Sequence, residues 1–174
     1  MAKPTLSKLK LTPKDPVKTL IWNEQEIEIK SYLSIEKKLE LITEVLNLAA
    51  DENRFYNPGK VDMYFHLKVI EYYTNLSITD KQKENVVKLY DDFISSGFYH
   101  AVFTAIPESD IGYTYTLLKE TIEQFYKYQN SAYGILDALN TDYKNLDLDV
   151  QKIVGELNQG KGVEFLNEVV TKLG

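Results

Sequence analysis

A repeating apolar pattern in the second half of the chain constrains the fold more than any other feature. From residue 111 to residue 139, mostly apolar residues recur at alternating spacings of four and three residues. This is the a/d pattern of a heptad repeat, with one polar position at Gln129. A helix that carries the pattern from Glu108 to Asn140 would be roughly 45–50 Å long at about 1.5 Å per residue. We call these positions the heptad seam; they are Ile111, Tyr115, Leu118, Ile122, Phe125, Gln129, Ala132, Leu136 and Leu139.

The heptad seam predicts a mainly α-helical fold, a helical bundle packed around this one long central helix. Seam side chains are expected to be among the most buried of the chain, or else to join copies of the chain to one another. Gly134, inside the predicted helix, favours a kink or a close helix crossing. The positions for which we expect the deepest burial are Leu118, Ile122, Phe125, Ala132 and Leu136.

A small β-hairpin is predicted ahead of the helices, because apolar and polar residues alternate over residues 18–30 with a break at residues 23–25. Such a hairpin is marginal alone, so it must lie on helices or join another sheet. Residues 1–17 are predicted to form a flexible N-terminal arm, and residues 18–174 a single helical domain with the hairpin at its start.

Start and stop signals place further helices along the chain. Ser34 is a candidate N-cap, and Thr79 with Gln82 forms a capping box. The first helix is expected to bury a stripe of side chains, and two short helices are expected to follow the seam. Predicted helices cover about 35–50, 58–75, 79–96, 98–106, 149–157 and 163–173. The predicted stripe is Ile35, Leu39, Ile42, Leu46 and Ala49.

Composition limits the classes of partner. The 174 residues carry a net charge of −6 with a single arginine, Arg54, whereas nucleic-acid contacts rely on arginine. The chain has no cysteine, and no apolar run reaches the roughly 18 residues of a membrane span. We therefore expect protein partners or self-association, with no nucleic acid and no membrane, in the cytoplasm of a host cell.

The sequence offers one arrangement suited to acid–base chemistry. Asp62 and His66 are four residues apart on a predicted helix and can share a face. They would act as a general base oriented by a carboxylate, or as a boundary pair on an amphipathic helix, and we favour the second interpretation. His100 lies in an apolar stretch and is predicted to be a buried or half-buried structural histidine. No metal-ligand spacing and no phosphate-binding loop is present, so we predict a non-enzymatic protein without a cofactor.

Four stretches of the chain carry a further pattern: Thr19–Ile42, Ser77–Asn85, Ser95–Asp110 and Lys127–Tyr143. Together they resemble small proteins that phages and prophages of low-GC Gram-positive bacteria encode in their virion structural and assembly genes. The resemblance covers roughly residues 18–174 and is one of overall pattern, without a catalytic motif. It implies a phage-encoded protein acting through protein–protein contacts, in the host cytoplasm or associated with the virion.

A hairpin followed by a helical body is similar in architecture to the tail assembly chaperones of long-tailed phages. This similarity implies a small acidic helical protein that coats the tape measure protein while the tail tube forms. The basic, proline-containing arm departs from that pattern, and a stable head–tail or capsid-associated component would use such an arm to bind a neighbouring subunit. The alternative is a phage inhibitor of a host defence system that binds and occludes its target.

The N-terminal region is the predicted partner-binding site. The arm combines leucines with lysines, so it is either a mobile tail or a segment that orders on a partner, another copy included. The edges of the hairpin can accept a further strand. The candidate partner-binding residues are Leu6, Leu9, Leu11, Leu20 and Trp22.

Overall fold

The chain is mainly helical, and a two-stranded antiparallel hairpin precedes the α-helices, as predicted. A computed structural model describes residues 17–52 and 55–142, together with residues 3, 5–9, 11 and 171. Strands β1 (Val17–Trp22) and β2 (Gln25–Lys30) follow a 3₁₀ turn at Leu6–Leu9. The helices are α1 (Ile35–Ala49), α2 (Pro58–Tyr73), α3 (Asp80–Lys83), α4 (Val86–Ser95), α5 (Phe98–Ala105), α6 (Glu108–Gln129) and α7 (Ala132–Asp142).

A tight turn of Asn23 and Glu24 joins the two strands. Both residues have positive φ, 47° and 64°, as a type I′ hairpin turn requires. Trp22 then pairs with Gln25, and the register continues to Val17 opposite Lys30. The twist of such a turn matches that of the strands, so a two-residue loop closes the hairpin.

The hairpin lies on the helices, as expected for a sheet of two strands. Ile27 and Ile29 of β2 are buried, 4% and 0% exposed. Ile29 also forms an antiparallel bridge with Thr74, just after α2. Helix α1 packs along α2, and the core side chains come from both helices. The core side chains of these helices are Leu41, Ile42, Val45, Ala49, Phe65, Leu67, Val69, Ile70 and Tyr73.

The predicted buried stripe of α1 is partly wrong. Ile42 and Ala49 are buried, but Ile35 and Leu39 are 50% and 51% exposed. Lys38 occupies the inward position instead and is 2% exposed, because its charge is met by an acidic side chain far along the chain. Lys38 shares its helix face with the buried Leu41 and Ile42, so Leu39, next to it in sequence, points away from the core. Ile35 is the first residue of α1.

The predicted continuous helix from Glu108 to Asn140 is also wrong, because Asn130 and Ser131 separate α6 from α7. The Ser131 hydroxyl accepts a hydrogen bond from the Gly134 N–H at 3.0 Å, in the manner of an N-cap. The same hydroxyl donates to the Tyr128 carbonyl at 2.6 Å. These local bonds replace helical ones, so the chain ends one helix and starts the next.

Burial along the heptad seam follows the prediction only in part. Leu118 and Leu136 are 0% and 2% exposed, as expected. Ile122 and Phe125 are half-buried, and Ala132 is exposed next to the helix break.

The predicted helix over residues 79–96 is likewise two helices, α3 and α4. The predicted helices at 149–157 and 163–173 lie outside the described residues.

Contacts between residues group the chain into two compact units, Met1–Leu118 and Lys119–Gly174. The single domain predicted for residues 18–174 stays a prediction. In the part of the chain that the structure describes, no helix is long and apolar enough to cross a membrane.

Candidate functional site

One face of β1 packs on its own fold. The Trp22 ring lies edge-on to the Phe98 ring, with centroids 5.2 Å apart. The Lys18 ammonium donates to the Ala105 carbonyl at 2.6 Å, at the C-terminal end of α5, where a cation is favourable. Leu20 lies on the same face and is half-buried. Two predicted partner-binding residues, Leu20 and Trp22, therefore already have contacts or burial within the molecule.

The opposite face of β1 is exposed and carries no charge. We call Val17, Thr19 and Ile21 the outer row of β1; Val17 is 49% exposed and Ile21 is 66% exposed. Across the hairpin the outer row faces charged residues of β2. The outward face of the hairpin therefore has an uncharged row on β1 and a charged row on β2. The facing residues of β2 are Lys30, Glu28 and Glu26.

The two edges of the hairpin differ in what they bind. The outer edge of β2 is occupied, because the Glu28 carbonyl accepts from the Asn75 N–H at 3.2 Å and the Glu28 N–H donates to Asn75 Oδ1 at 3.1 Å. Among the described residues, the sheet consists of β1 and β2 alone, so none of their strands covers the other edge of β1. That edge can therefore accept a further strand.

The arm presents aliphatic side chains close to β1 in sequence. Leu6, Leu9 and Leu11 are 77%, 55% and 75% exposed. Leu6 and Leu9 begin and end a 3₁₀ turn, in which residues three apart lie on the same side. The three leucines are therefore accessible to a partner, and their binding role stays a prediction.

Sequence reasoning missed Val17 and Ile21 as candidate binding residues. Their signal is present, since both are β-branched and have the opposite parity to Leu20 and Trp22. Both faces of β1 are therefore apolar, and the sequence alone does not say which face packs on α5. The structure brings Leu20 and Trp22 to the packed face and leaves Val17 and Ile21 outside.

Asp62 and His66 are adjacent on α2, as their spacing predicted. The His66 Nδ1 atom lies 3.3 Å from Asp62 Oδ2, without hydrogen-bond geometry, and its side chain is 18% exposed. Aromatic rings surround the imidazole, with centroids of Tyr99 at 4.7 Å, Phe103 at 5.4 Å and Tyr90 at 6.1 Å. His66 is thus one member of an aromatic cluster between α2, α4 and α5. His100, in α5, is exposed, so the burial predicted for it is wrong.

Electrostatics in this cluster favour a neutral histidine. Burial lowers the pKa of His66 below its ordinary value, and the negative charge of Asp62 opposes this only in part. Burial and the same carboxylate raise the pKa of Tyr90 and of Tyr99. A neutral imidazole among rings suits packing, which agrees with the structural interpretation of the pair.

A second polar cluster connects α6 to the start of the fold. Lys38 Nζ lies 2.6 Å from Asp110 Oδ1 and also donates to the Leu33 carbonyl at 2.8 Å. The other carboxylate oxygen accepts from the Tyr73 hydroxyl at 2.7 Å, and that hydroxyl lies 3.2 Å from Thr114 Oγ1. Burial, with the bond to Asp110, raises the pKa of Tyr73. The satisfied partners identify this cluster as structural.

The exposed side of α1 is acidic and apolar together. Glu36 and Glu40 are exposed beside Ile35 and Leu39. Farther along, Glu44 lies 2.6 Å from the Lys68 ammonium and accepts from the Tyr72 hydroxyl at 2.8 Å. Burial raises the pKa of Glu44, but these two bonds outweigh it and the net shift is downward.

Comparisons with known proteins identify no relative. No family model matches the chain, and no curated protein or solved structure matches it either. Functional conclusions therefore come from the residues described above.

Proposed function

We propose that this chain acts by binding other protein chains through the arm and the outer row of β1, without catalysing a reaction. The carrying observation is the concentration of exposed aliphatic side chains in the first 21 residues: Leu6, Leu9, Leu11, Val17 and Ile21. Exposed aliphatic groups next to an available strand edge favour association with another protein.

The biological setting that we propose is the assembly or structure of a phage virion, at its tail or at the head–tail junction. Its support is the pattern resemblance of residues 18–174 to proteins of phage structural and assembly genes. An arm with leucines and lysines is suited to binding a neighbouring subunit during such assembly.

The location of the chain during infection tests this proposal. In cells that produce a phage encoding it, mass spectrometry should find the chain in purified particles, or in assembling lysates bound to a virion protein. Deletion of residues 1–16 should reduce that association, whereas Val87→Glu, which alters a 57% exposed aliphatic residue on α4, should not. A chain absent from particles and unbound to virion proteins throughout assembly would contradict the proposal.

The acidic and apolar side of α1 favours a second candidate, an inhibitor that occludes a basic groove of a host defence protein. Glu36, Glu40 and Glu44 follow one another at four-residue spacing and so line one side of the helix. An inhibitor would be made early after infection and would lose its effect on charge reversal of Glu36 and Glu40, the two of these acids that are exposed. A virion protein would be made late and would tolerate the change.

An enzymatic role would depend on Asp62 and His66. Replacing both with asparagine and glutamine, respectively, removes the carboxylate and the titrating imidazole. We expect the biological effect of the chain to persist in that double variant. Its loss without loss of folding would favour catalysis over binding.

A further inference from the structure

We infer that two copies of this chain pair along the edge of β1 that no described strand covers, forming a continuous four-stranded antiparallel sheet across a two-fold axis at Thr19. This inference rests on the proposed function and names the partner as a second copy. It concerns the unit Met1–Leu118, which contains both strands and the helix that packs on them.

Backbone directions in the hairpin support this pairing. The two-residue turn makes Trp22 and Gln25 a hydrogen-bonded pair, and such pairs alternate along antiparallel strands. The N–H and C=O groups of Val17, Thr19 and Ile21 therefore point away from β2. Glu28, opposite Thr19, agrees with this pattern, because its own backbone groups bond outward to Asn75.

The outer row is self-complementary about Thr19. In an antiparallel pair centred there, Val17 of one copy lies opposite Ile21 of the other, and Thr19 lies opposite Thr19. Residues 17–21 of both copies are paired, giving about six new backbone hydrogen bonds. Shifting the register by two residues in either direction shortens the paired segment, so this register satisfies the most backbone groups.

Side-chain charge does not oppose a second copy at this edge. Outer-row side chains are uncharged, so no like charges meet across the axis. On the packed face, Lys18 lies opposite Leu20 of the other copy rather than opposite another lysine. The charged row of β2 would flank the joined aliphatic rows on both sides, which is the arrangement of an apolar centre with a polar rim.

The protective features of edge strands are present on β2 and lacking on the outer row of β1. Edge strands usually carry charges, bulges or prolines that prevent pairing. The outward side chains of β2 are Glu26, Glu28 and Lys30, and its edge is already bonded to Asn75. The outer row carries two aliphatic side chains and a threonine, so β1 is the edge that a strand of the same chain can join.

Charge substitutions at positions 17 and 21 test the pairing and its register in the full-length protein. Ile21 faces Glu26 and Val17 faces Lys30 within the hairpin. Double variants V17K/I21K and V17E/I21E each create one favourable and one unfavourable pair there, so their hairpins are equally perturbed. Across the two-fold axis, however, each variant places like charges opposite one another.

Molar mass in solution, measured by light scattering over a concentration series, is the readout. We expect the unmodified chain and the Val87→Glu control to reach twice the monomer mass of 20.1 kDa. V17K/I21K and V17E/I21E alone should stay monomeric, and mixing them should restore the doubled mass. V17E/I21K, which places opposite charges across the axis, should dimerise by itself.

Several outcomes would overturn the inference. A monomeric unmodified chain would exclude self-pairing. It would leave the proposed function open, because binding to virion proteins in infected cells tests that function separately. Dimers of the two like-charged variants would place the interface elsewhere. Monomers in the mixture, with circular dichroism showing folded helices, would exclude this register.

Discussion

Lys38 and Asp110 form an ion pair with its nitrogen and oxygen 2.6 Å apart, although the lysine side chain is 2% exposed and the aspartate 10%. The pair joins α1 to the first turn of α6. Removing water from both charges is costly, and additional hydrogen bonds from Tyr73 and from the Leu33 N–H offset that cost. The pair therefore fixes where α6 begins on the fold.

Breaking the pair should destabilise the fold strongly. Asp110→Ala leaves the lysine charge buried without its carboxylate, and we expect a loss of about 3 kcal/mol or more in the free energy of unfolding. Lys38→Met should cost less than this, because the carboxylate keeps its other donors. Lys37→Met is the matched control, because Lys37 pairs with Glu40 at the surface and its loss should leave the urea midpoint nearly unchanged. Equal effects of the two lysine substitutions would contradict this account.

Stability should fall as the pH is lowered through about 6.5. Burial depresses the pKa of His66 in the folded chain, so the unfolded chain binds a proton more readily near pH 6. The contribution of neutral His66 is complete above about pH 6.5 and decreases as the pH falls toward the folded-state pKa. Urea unfolding between pH 5.5 and 7.5, about a unit on either side of that value, measures the slope of the free energy of unfolding against pH.

Two variants separate His66 from other groups. His66→Phe keeps a ring in the cluster and should flatten the slope. Asp62→Asn removes the charge that raises the pKa of His66, so imidazole signals in nuclear magnetic resonance should titrate at lower pH. An unchanged slope in His66→Phe would show that another group causes the dependence.

Alanine should have opposite effects at the two glycines of α6 and α7. A Cβ atom at Gly134 would overlap the Tyr128 carbonyl oxygen and lie 2.9 Å from its carbon, so Gly134→Ala must disturb the break between the helices. Gly112 has nothing within 4 Å of such an atom, and Gly112→Ala should stabilise by about 1 kcal/mol. Thermal unfolding measures both, and destabilisation by Gly112→Ala would be inconsistent with the open space at that position.

The two faces of β1 should respond differently to truncation. Trp22→Ala removes the edge-on contact with Phe98 and should lower the free energy of unfolding by about 2 kcal/mol. Ile21→Ala, on the 66% exposed side chain next to it, should change folding stability little and weaken association instead. If Trp22→Ala altered association alone, the tryptophan would be a partner anchor, as the sequence suggested.

Local signals in the sequence predicted local structure well. Ser34 accepts a hydrogen bond from the Lys37 N–H as an N-cap, and Thr79 with Gln82 forms the expected capping box. The hairpin follows from alternation over residues 18–30. In each case, the residues that determine the structure are within a few positions of one another.

Features that depend on distant or competing contacts were not predictable in the same way. Burial of Lys38 depends on Asp110, 72 residues away, and no periodicity indicates that pairing. The heptad seam continues through Asn130 and Ser131, so the pattern alone cannot show that the Ser131 hydroxyl ends the helix. At the candidate site, the choice between the two apolar faces of β1 depends on the contact of Trp22 with Phe98.

Amide hydrogen exchange along β1 tests the central claim most directly, because it reports on the backbone groups of this edge residue by residue. We predict that the Thr19 and Ile21 amides exchange rapidly in dilute protein and become protected as concentration rises or a protein partner is added. The Leu20 amide, which faces β2, should be protected throughout. Rapid exchange of Thr19 and Ile21 under all these conditions would contradict the claim that this edge of β1 is a protein-binding site.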